Sequence, residues 1–447
     1  MLTNFRNHAL VNYFRCPEGM GDFVLTGKLS EESGFFKFGP ELICFGQSSS
    51  GVSAQVRNAA LHDSSQEVSI EDSVLRLPFD PGQVIENLRC ERYALHSPSA
   101  STGSAIRKLY YGIRPLLPVP IRRQMQRFRL RGWADIPFPS WPLDRTVENL
   151  MERFLFFSLK AHGLDRIPFI WFWPAGAPGC AIMTHDVEEL AGRNFCEKLM
   201  DINDAAEIKS SFQIVPEQRY PVPESFLSEM RQRGFEINVH DLNHDGNLYS
   251  ERETFLHRVQ RINEYGKQFR AVGFRSGALY RNLNWYDSLD FSYDLSVPNV
   301  GHLEAQQGGC CTVMPFFIGK ILQLPLTTTQ DYSLFQILQT YSIDLWKKQI
   351  DLILEKNGLI SFIVHPDYVI EKKSQDTYKS LLAYLAQIRS EGKIWLTLPR
   401  EVNDWWRQRR QMKLVKSGGA WRIEGPGNER AKIAYAVIDG DKMSYEF

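Results

Sequence analysis

Seven side chains in the middle of this chain are of types that, brought together, hydrolyse amides or esters: Asp186, Glu188, His240, His244, Arg275, Asp294 and His365. Each falls where an apolar run gives way to polar residues. THDVE closes the run that starts at Ala181. Residues two apart on a strand share a face, so Asp186 and Glu188 can point into one mouth. HDLNH follows FEINV. With a helical turn after that strand, His240 and His244 stand one turn apart and can grip one ion. AVGFR ends in Arg275, SYD in Asp294, and LISFIVHP reaches His365. Two histidines and a carboxylate make an N/N/O site for a borderline divalent ion, with positions open to water and substrate. Such an ion polarises a carbonyl and lowers the pKa of water. A second carboxylate can then act as base, and a histidine across the site can protonate the departing group.

Taken singly, each element has a plain structural explanation. H-x-x-x-H is common on exposed helix faces, and D-x-E at a strand end often caps a helix. A His-Pro pair usually marks a turn, and a lone arginine a surface ion pair. Their joint occurrence, in order and at the same kind of strand terminus, favours chemistry. The other histidines do not share that placement. His185 flanks Asp186 but faces the other way on its strand and reads as structural. His257 sits among charged residues, His62, His96 and His162 lie outside the patterned region, and His302 falls in a loop near Cys310 and Cys311.

The elements that must position these groups follow an alternating pattern. AIMTHDV, SSFQIVP, FEINVHD, AVGFRSG, SYDLSVP, ILQLPLT, LISFIVHP and KIWLTLP read as strands. Helix-like stretches lie between many of them: 195–206, 225–233, 251–268, 334–356 and 375–389. This alternation predicts an α/β fold, a distorted (β/α) barrel of about seven parallel strands spanning residues 166–411. No Gly-rich phosphate loop follows any strand, which argues against a nucleotide-binding sheet. Residues 1–100 carry short apolar runs punctuated by Gly, Ser and Pro, the pattern of a small β-rich domain. A basic helical connecting segment occupies residues 101–165, with its last helix at 145–162. Residues 412–447, with GG, GPGN and DGD turns, read as a C-terminal β-hairpin extension of two or three strands.

Over about residues 180–399 these motifs resemble the polysaccharide deacetylase family, also called carbohydrate esterase family four. THDVE is similar to the family's first motif, HDLNH to its second, GFRSG to its third, YDLSV to its fourth, and the strand ending in IVHP to its fifth. The resemblance implies Asp186 as base, Glu188, His240 and His244 as metal ligands, Arg275 as the group that orients Asp186, and His365 as acid. Asp294 then falls to orienting His365. It implies a divalent metal, zinc first, with cobalt, nickel, manganese or iron as alternatives. Two positions depart from the usual pattern. Val187 stands where many members have a second, adjacent aspartate, and Ser276-Gly277 stands where a proline usually follows the arginine.

Hydrophobic content of 43% and charged content of 23% are those of a globular protein, and the formal net charge is zero. That balance gives no global pull toward nucleic acid. The seven cysteines include no C-x-x-C pair, and the N-terminus lacks an apolar signal core, which together suggest a cytoplasmic protein. Its expected partner is an N-acetylated sugar in a glycan or glycan precursor. The arginines between Arg107 and Arg131 offer a peripheral membrane or phosphate contact, although an arginine-studded helix packed on its neighbour is the plainer reading. Two rivals stand beside deacetylation: another amide hydrolase on the same barrel, and a catalytically silent glycan-binding protein. Oligomeric state is open.

Overall fold

A computed structural model describes residues 4–56, 60–96, 124 and 130–447. Most of the Arg107–Arg131 segment therefore lies outside the described residues. Each of the eight apolar runs carries a strand: Gly179–Val187, Ser211–Ile214, Glu236–His240, Gly273–Arg275, Tyr293–Asp294, Ile321–Gln323, Leu359–Ile363 and Ile394–Thr397. These run parallel in one curled sheet, against the expectation of about seven, and a ninth strand, Phe316–Ile318, pairs antiparallel at one edge. All nine residues of the first strand are buried. Its lower half pairs with Ile394–Thr397 and its upper half with Ser211–Ile214, while Leu359–Ile363 runs along the other side.

The sheet curls without closing. Among the described residues no backbone ladder joins Ile321–Gln323 to Leu359–Ile363. Threonine hydroxyls sew that seam instead. Thr327 Oγ1 donates to the Leu359 carbonyl (2.7 Å) and accepts from Ser361 N–H (2.9 Å), and Thr328 Oγ1 donates to the Ser361 carbonyl (2.7 Å).

Amphipathic helices cover the outside: Leu190–Ala205, Glu224–Gln232, Arg252–Gln268, Asp344–Leu354 and Lys372–Ser390. The expected single helix over 334–356 is two pieces. A short wide turn, Ser333–Ile337, precedes the Asp344–Leu354 helix, and Gln339 between them adopts a left-handed φ of 55° that a helix cannot carry. No helix among the described residues is long and apolar enough to cross a membrane.

The flanking segments share one core with the rear of the barrel. That core runs from Leu10 and Phe14 through Phe36, Phe79 and Phe154 to Phe172, Trp405 and Ala436. The N-terminal part adds two helices, His8–Phe14 and Pro81–Arg89, to its expected short strands, and Thr146–Ala161 forms the helix expected at 145–162. The C-terminal extension contains four strands. Lys413–Ser417 pairs with Ala420–Glu424, and Ile433–Asp439 pairs both with Lys442–Glu446 and with Arg166–Ile170. Arg409 is buried at this junction. It donates to the carbonyls of Trp171 (2.9 Å), Ile170 (2.7 Å) and Tyr13 (2.8 Å), with no carboxylate paired to it among the described residues.

Candidate active site

Strand pleat decides which groups meet. Thr184 and Asp186 share the inward face of the first strand, and His185 points out toward the helices. His185 Nδ1–H donates to the Val364 carbonyl (2.9 Å) and Nε2 accepts from Asn203 (3.0 Å). Burial pushes its pKa down to about 4, a neutral structural ring. Arg275, fully buried, reaches inward. Its Nη1 donates to Asp186 Oδ1 (2.6 Å) and Thr184 Oγ1 (2.8 Å), and Nε to the Leu295 carbonyl (3.1 Å).

The histidine pair sits on a tight loop, with no helical turn between its members. Asp241 and His244 both take left-handed φ, 57° and 53°. Such strain is held only where neighbours over-determine it. Asp241 supplies that hold, accepting from Leu242 N–H (2.6 Å) and Gly277 N–H (3.2 Å). A Cβ at Gly277 would stand 2.5 Å from Asp241 Oδ2 and 2.9 Å from His244 Cδ2. Glycine follows Ser276 here because the loop carrying His244 fills the space of any side chain.

Glu188 is the hub. Its Oε1 lies 2.9 Å from His244 Nε2, 3.4 Å from His240 Nε2 and 3.5 Å from His365 Nε2. His240 Nδ1–H donates to the Arg275 carbonyl (3.2 Å), which turns the Nε2 lone pair into the site. His244 is buried, yet neither ring nitrogen makes a well-aligned hydrogen bond: Nε2 is close to Glu188 but out of line. A buried nitrogen left so is costly, and a cation held among these ligands would satisfy His244 Nε2. The ligand atoms of Glu188, His240 and His244 lie within 4.8 Å of one another, as do those of Asp186, Glu188 and His365. The donor set, two imidazoles and a carboxylate, fits zinc and its transition-metal neighbours.

Electrostatics keep these carboxylates charged. Burial alone would raise Asp186, but Arg275, His240 and His365 hold it below its ordinary value. Burial likewise opposes ionisation of Glu188, and the surrounding histidines hold it well below the usual range. Burial would lower His365, but Asp331 and Glu188 raise it well above an ordinary imidazole.

Six of the seven candidate residues converge. Asp294 does not. In the parallel register Asp294 aligns with Phe274, whose side chain packs outward on Phe291, so the pleat puts its carboxylate on the outer face. There it accepts from Ser296 Oγ (2.6 Å) and faces Tyr286 Oη (3.4 Å), and burial raises it to about 6. His365 is oriented by Asp331 instead: its Nδ1–H donates to Oδ1 (2.7 Å) and its backbone N–H to Oδ2 (2.7 Å). Unlike Asp186, which lies inside its strand, Asp331 lies in the loop TTTQD beyond the strand Ile321–Gln323, so strand placement does not mark it in the sequence.

No protein-family model and no curated protein sequence matches this chain. Solved structures do overlap about half of it. PuuE allantoinase is 13% identical, covering 53% of this chain and 92% of that one, with a TM-score of 0.43. A "probable polysaccharide deacetylase" from Pseudomonas aeruginosa is 13% identical, covering 53% and 93%, with a TM-score of 0.41. A family 4 acetyl xylan esterase from Clostridium thermocellum, solved with a cobalt ion, is 12% identical, covering 51% and 91%, with a TM-score of 0.32. The chain is thus similar, at low identity and over about half its length, to structures of polysaccharide deacetylases of carbohydrate esterase family four.

Proposed function

We propose that this chain is a metal-dependent hydrolase that removes the acetyl group from an N-acetylated sugar of a glycan or glycan precursor. The observation that carries the reading is the convergence of Glu188, His240 and His244 on one point, with Asp186 and His365 beside the same Glu188 carboxylate. A divalent ion held by Glu188, His240 and His244 would supply Lewis acidity toward the scissile carbonyl. The chain's own groups do the rest. Asp186, kept ionised by Arg275, takes a proton from the attacking water. His365 presents Nε2–H to the leaving nitrogen while Asp331 accepts at Nδ1 and stabilises the imidazolium. Arg275 and Asp331 act as positioning residues.

Metal content and turnover, measured side by side, test the reading. Purified protein should hold close to one divalent ion per chain. Asp186→Asn should keep that ion and lose about a hundredfold or more in rate. Glu188→Gln should bind the ion more weakly and recover part of its activity in excess metal. Loss of the ion in Asp186→Asn with retention in Glu188→Gln would exchange the two roles. An unchanged rate and occupancy in both variants rejects the proposal.

A further inference from the structure

The metal histidines rest on the turn that follows Arg275. His240 Nδ1–H donates to the Arg275 carbonyl, Asp241 N–H donates to the same oxygen (2.8 Å), and His244 packs against Gly277. That turn is strained, since Ala278 and Leu279 both take a left-handed φ of 53°. Residues with a Cβ stay there only where neighbours over-determine them. Two holds are visible. Leu279 is buried with Leu326 and Ile363, and Ile363 lies two residues before His365. Arg281 Nη1 donates to the Leu279 carbonyl (2.8 Å). Gln306 fixes the Arg281 backbone, accepting from its N–H (3.0 Å) and donating to its carbonyl (3.2 Å).

Arg281 is in turn held from outside the barrel. Glu91, in the turn after the Pro81–Arg89 helix, takes Nε and Nη2 of the guanidinium with its two carboxylate oxygens. This bidentate fork fixes the orientation of both partners, and both side chains are buried. The carboxylate also accepts from Gly309 N–H (2.5 Å). A Cβ at Gly308 would stand 2.7 Å from Glu91 Oε1, so the backbone closes around the carboxylate where a side chain would exclude it. Cohesion alone does not need such a pair, because well-packed apolar residues join two segments as firmly as a buried ion pair. What an apolar pair lacks is a planar fork that grips a carboxylate with one edge and the Leu279 carbonyl with the other.

We propose that Glu91 and Arg281 are positioning residues for the metal site, holding His240 and His244 in place through the 277–281 turn. The segment ahead of the barrel is then part of the working site and not an appendage to it. This rests on the reading of Glu188, His240 and His244 as metal ligands.

Zinc binding by the metal-free full chain, read by competition with a chelating dye, tests the brace. A merely destabilised fold lowers the amount of zinc bound at saturation, whereas a loosened site lowers affinity at an unchanged amount. Glu91→Gln and Arg281→Lys should each weaken zinc affinity about tenfold at unchanged stoichiometry, while Tyr93→Phe should stay within about twofold of wild type. Tyr93 is the control because it ties the same segment to the Gly309 carbonyl (2.6 Å) without bonding Arg281. Arg281→Lys keeps a cation beside Glu91, so it reports the lost grip on Leu279 even if Glu91→Gln does not fold. Amide exchange in the metal-free chain gives a second readout: residues 241–244 and 277–281 should exchange faster in Arg281→Lys, with the strands unchanged. Wild-type affinity in both variants, or an equal loss in Tyr93→Phe, overturns the brace and leaves the deacetylase reading standing. A wild-type chain that takes up no zinc overturns the metal reading, and the exchange pattern then decides the brace. Faster exchange confined to the two loops supports it, and unchanged exchange overturns it.

Discussion

The mouth of the barrel and the core behind it both bury charge, and they treat it in opposite ways. At the mouth the two carboxylates that face the ligands have basic side chains as partners. Asp186 meets Arg275, and Glu188 meets three imidazoles, so both are held ionised. In the rear core two buried charges, Arg409 and Glu148, hydrogen-bond only to neutral groups among the described residues. Arg409 is surrounded by carbonyls, and burial lowers it to about 9. Glu148 accepts from Thr312 and Val313, with Arg89 only nearby, and burial raises it to about 7. Dipoles alone leave a buried ion close to neutralisation, whereas a counter-charge holds it ready for proton transfer. The same residue types thus serve chemistry in one region and cohesion in the other.

Two buried arginines give the largest contrast. Arg275→Met should strip Asp186 of its partner, costing about 3–5 kcal/mol of stability and, in the folded fraction, most of the turnover. Arg409→Met should orphan the Trp171, Ile170 and Tyr13 carbonyls and cost stability by about 2–4 kcal/mol, while the folded fraction turns over normally. Denaturant midpoints and kcat on the same preparations separate the two effects, and a shared loss of turnover breaks the comparison.

The pH dependence of stability sharpens it further. A carboxyl whose folded pKa is raised binds a proton in the folded state that the unfolded state has already released. Stability therefore falls as pH rises from about 4.5 to about 7, the ordinary and raised values of Glu148. Those 2.5 units correspond to about 3 kcal/mol. The melting temperature of the wild type relative to Glu148→Gln should therefore fall from pH 4.5 to 8, a difference that removes the other buried groups, Asp294 and His185 among them, which titrate in both proteins. An undiminished slope in the variant would show that Glu148 is ionised where it lies.

The smallest effect compares two aspartates. Asp331→Asn should cost roughly ten- to a hundredfold in rate. It should also move the alkaline limb of the pH–rate profile to lower pH, since Asp331 is what raises His365. Asp294→Asn should leave that limb in place. The reverse pattern would restore Asp294 as the partner of His365.

Much of this was legible in residue order. The eight apolar runs mark eight strands because a parallel strand buried on both faces has little choice but to be apolar. The other helices of the barrel follow their amphipathic stripes to within about five residues, while the stretch 334–356 divides into a turn and a shorter helix. Asp186, Glu188, Arg275 and His365 stand at strand exits, where pleat and position are both readable. Asp294 misled because its strand is two residues long, and only the register with Phe274 fixes which way its carboxylate turns. Asp331 was hidden by the loop that follows its strand. LTTTQDYS has no alternation to read, and its meeting with His365 depends on the threonine seam. The extra C-terminal strands escaped because half of their pairing lies more than 250 residues upstream, in Arg166–Ile170.

That last pairing bears on how the chain acquires its shape during synthesis. Residues 10–172 supply most of the rear core, yet Ala434 and Ala436 pack into it from a strand laid on Arg166–Ile170. A ribosome that has released the chain only as far as the Pro399–Gln411 helix leaves the edge of that strand unpaired and Trp171 and Phe172 without their cover from Tyr445. Domains usually fold as they emerge, N-terminal first. Here residues 10–172 must wait for a strand more than 250 residues further along the chain, and in the interval the exposed aromatic face is the surface a chaperone would grasp.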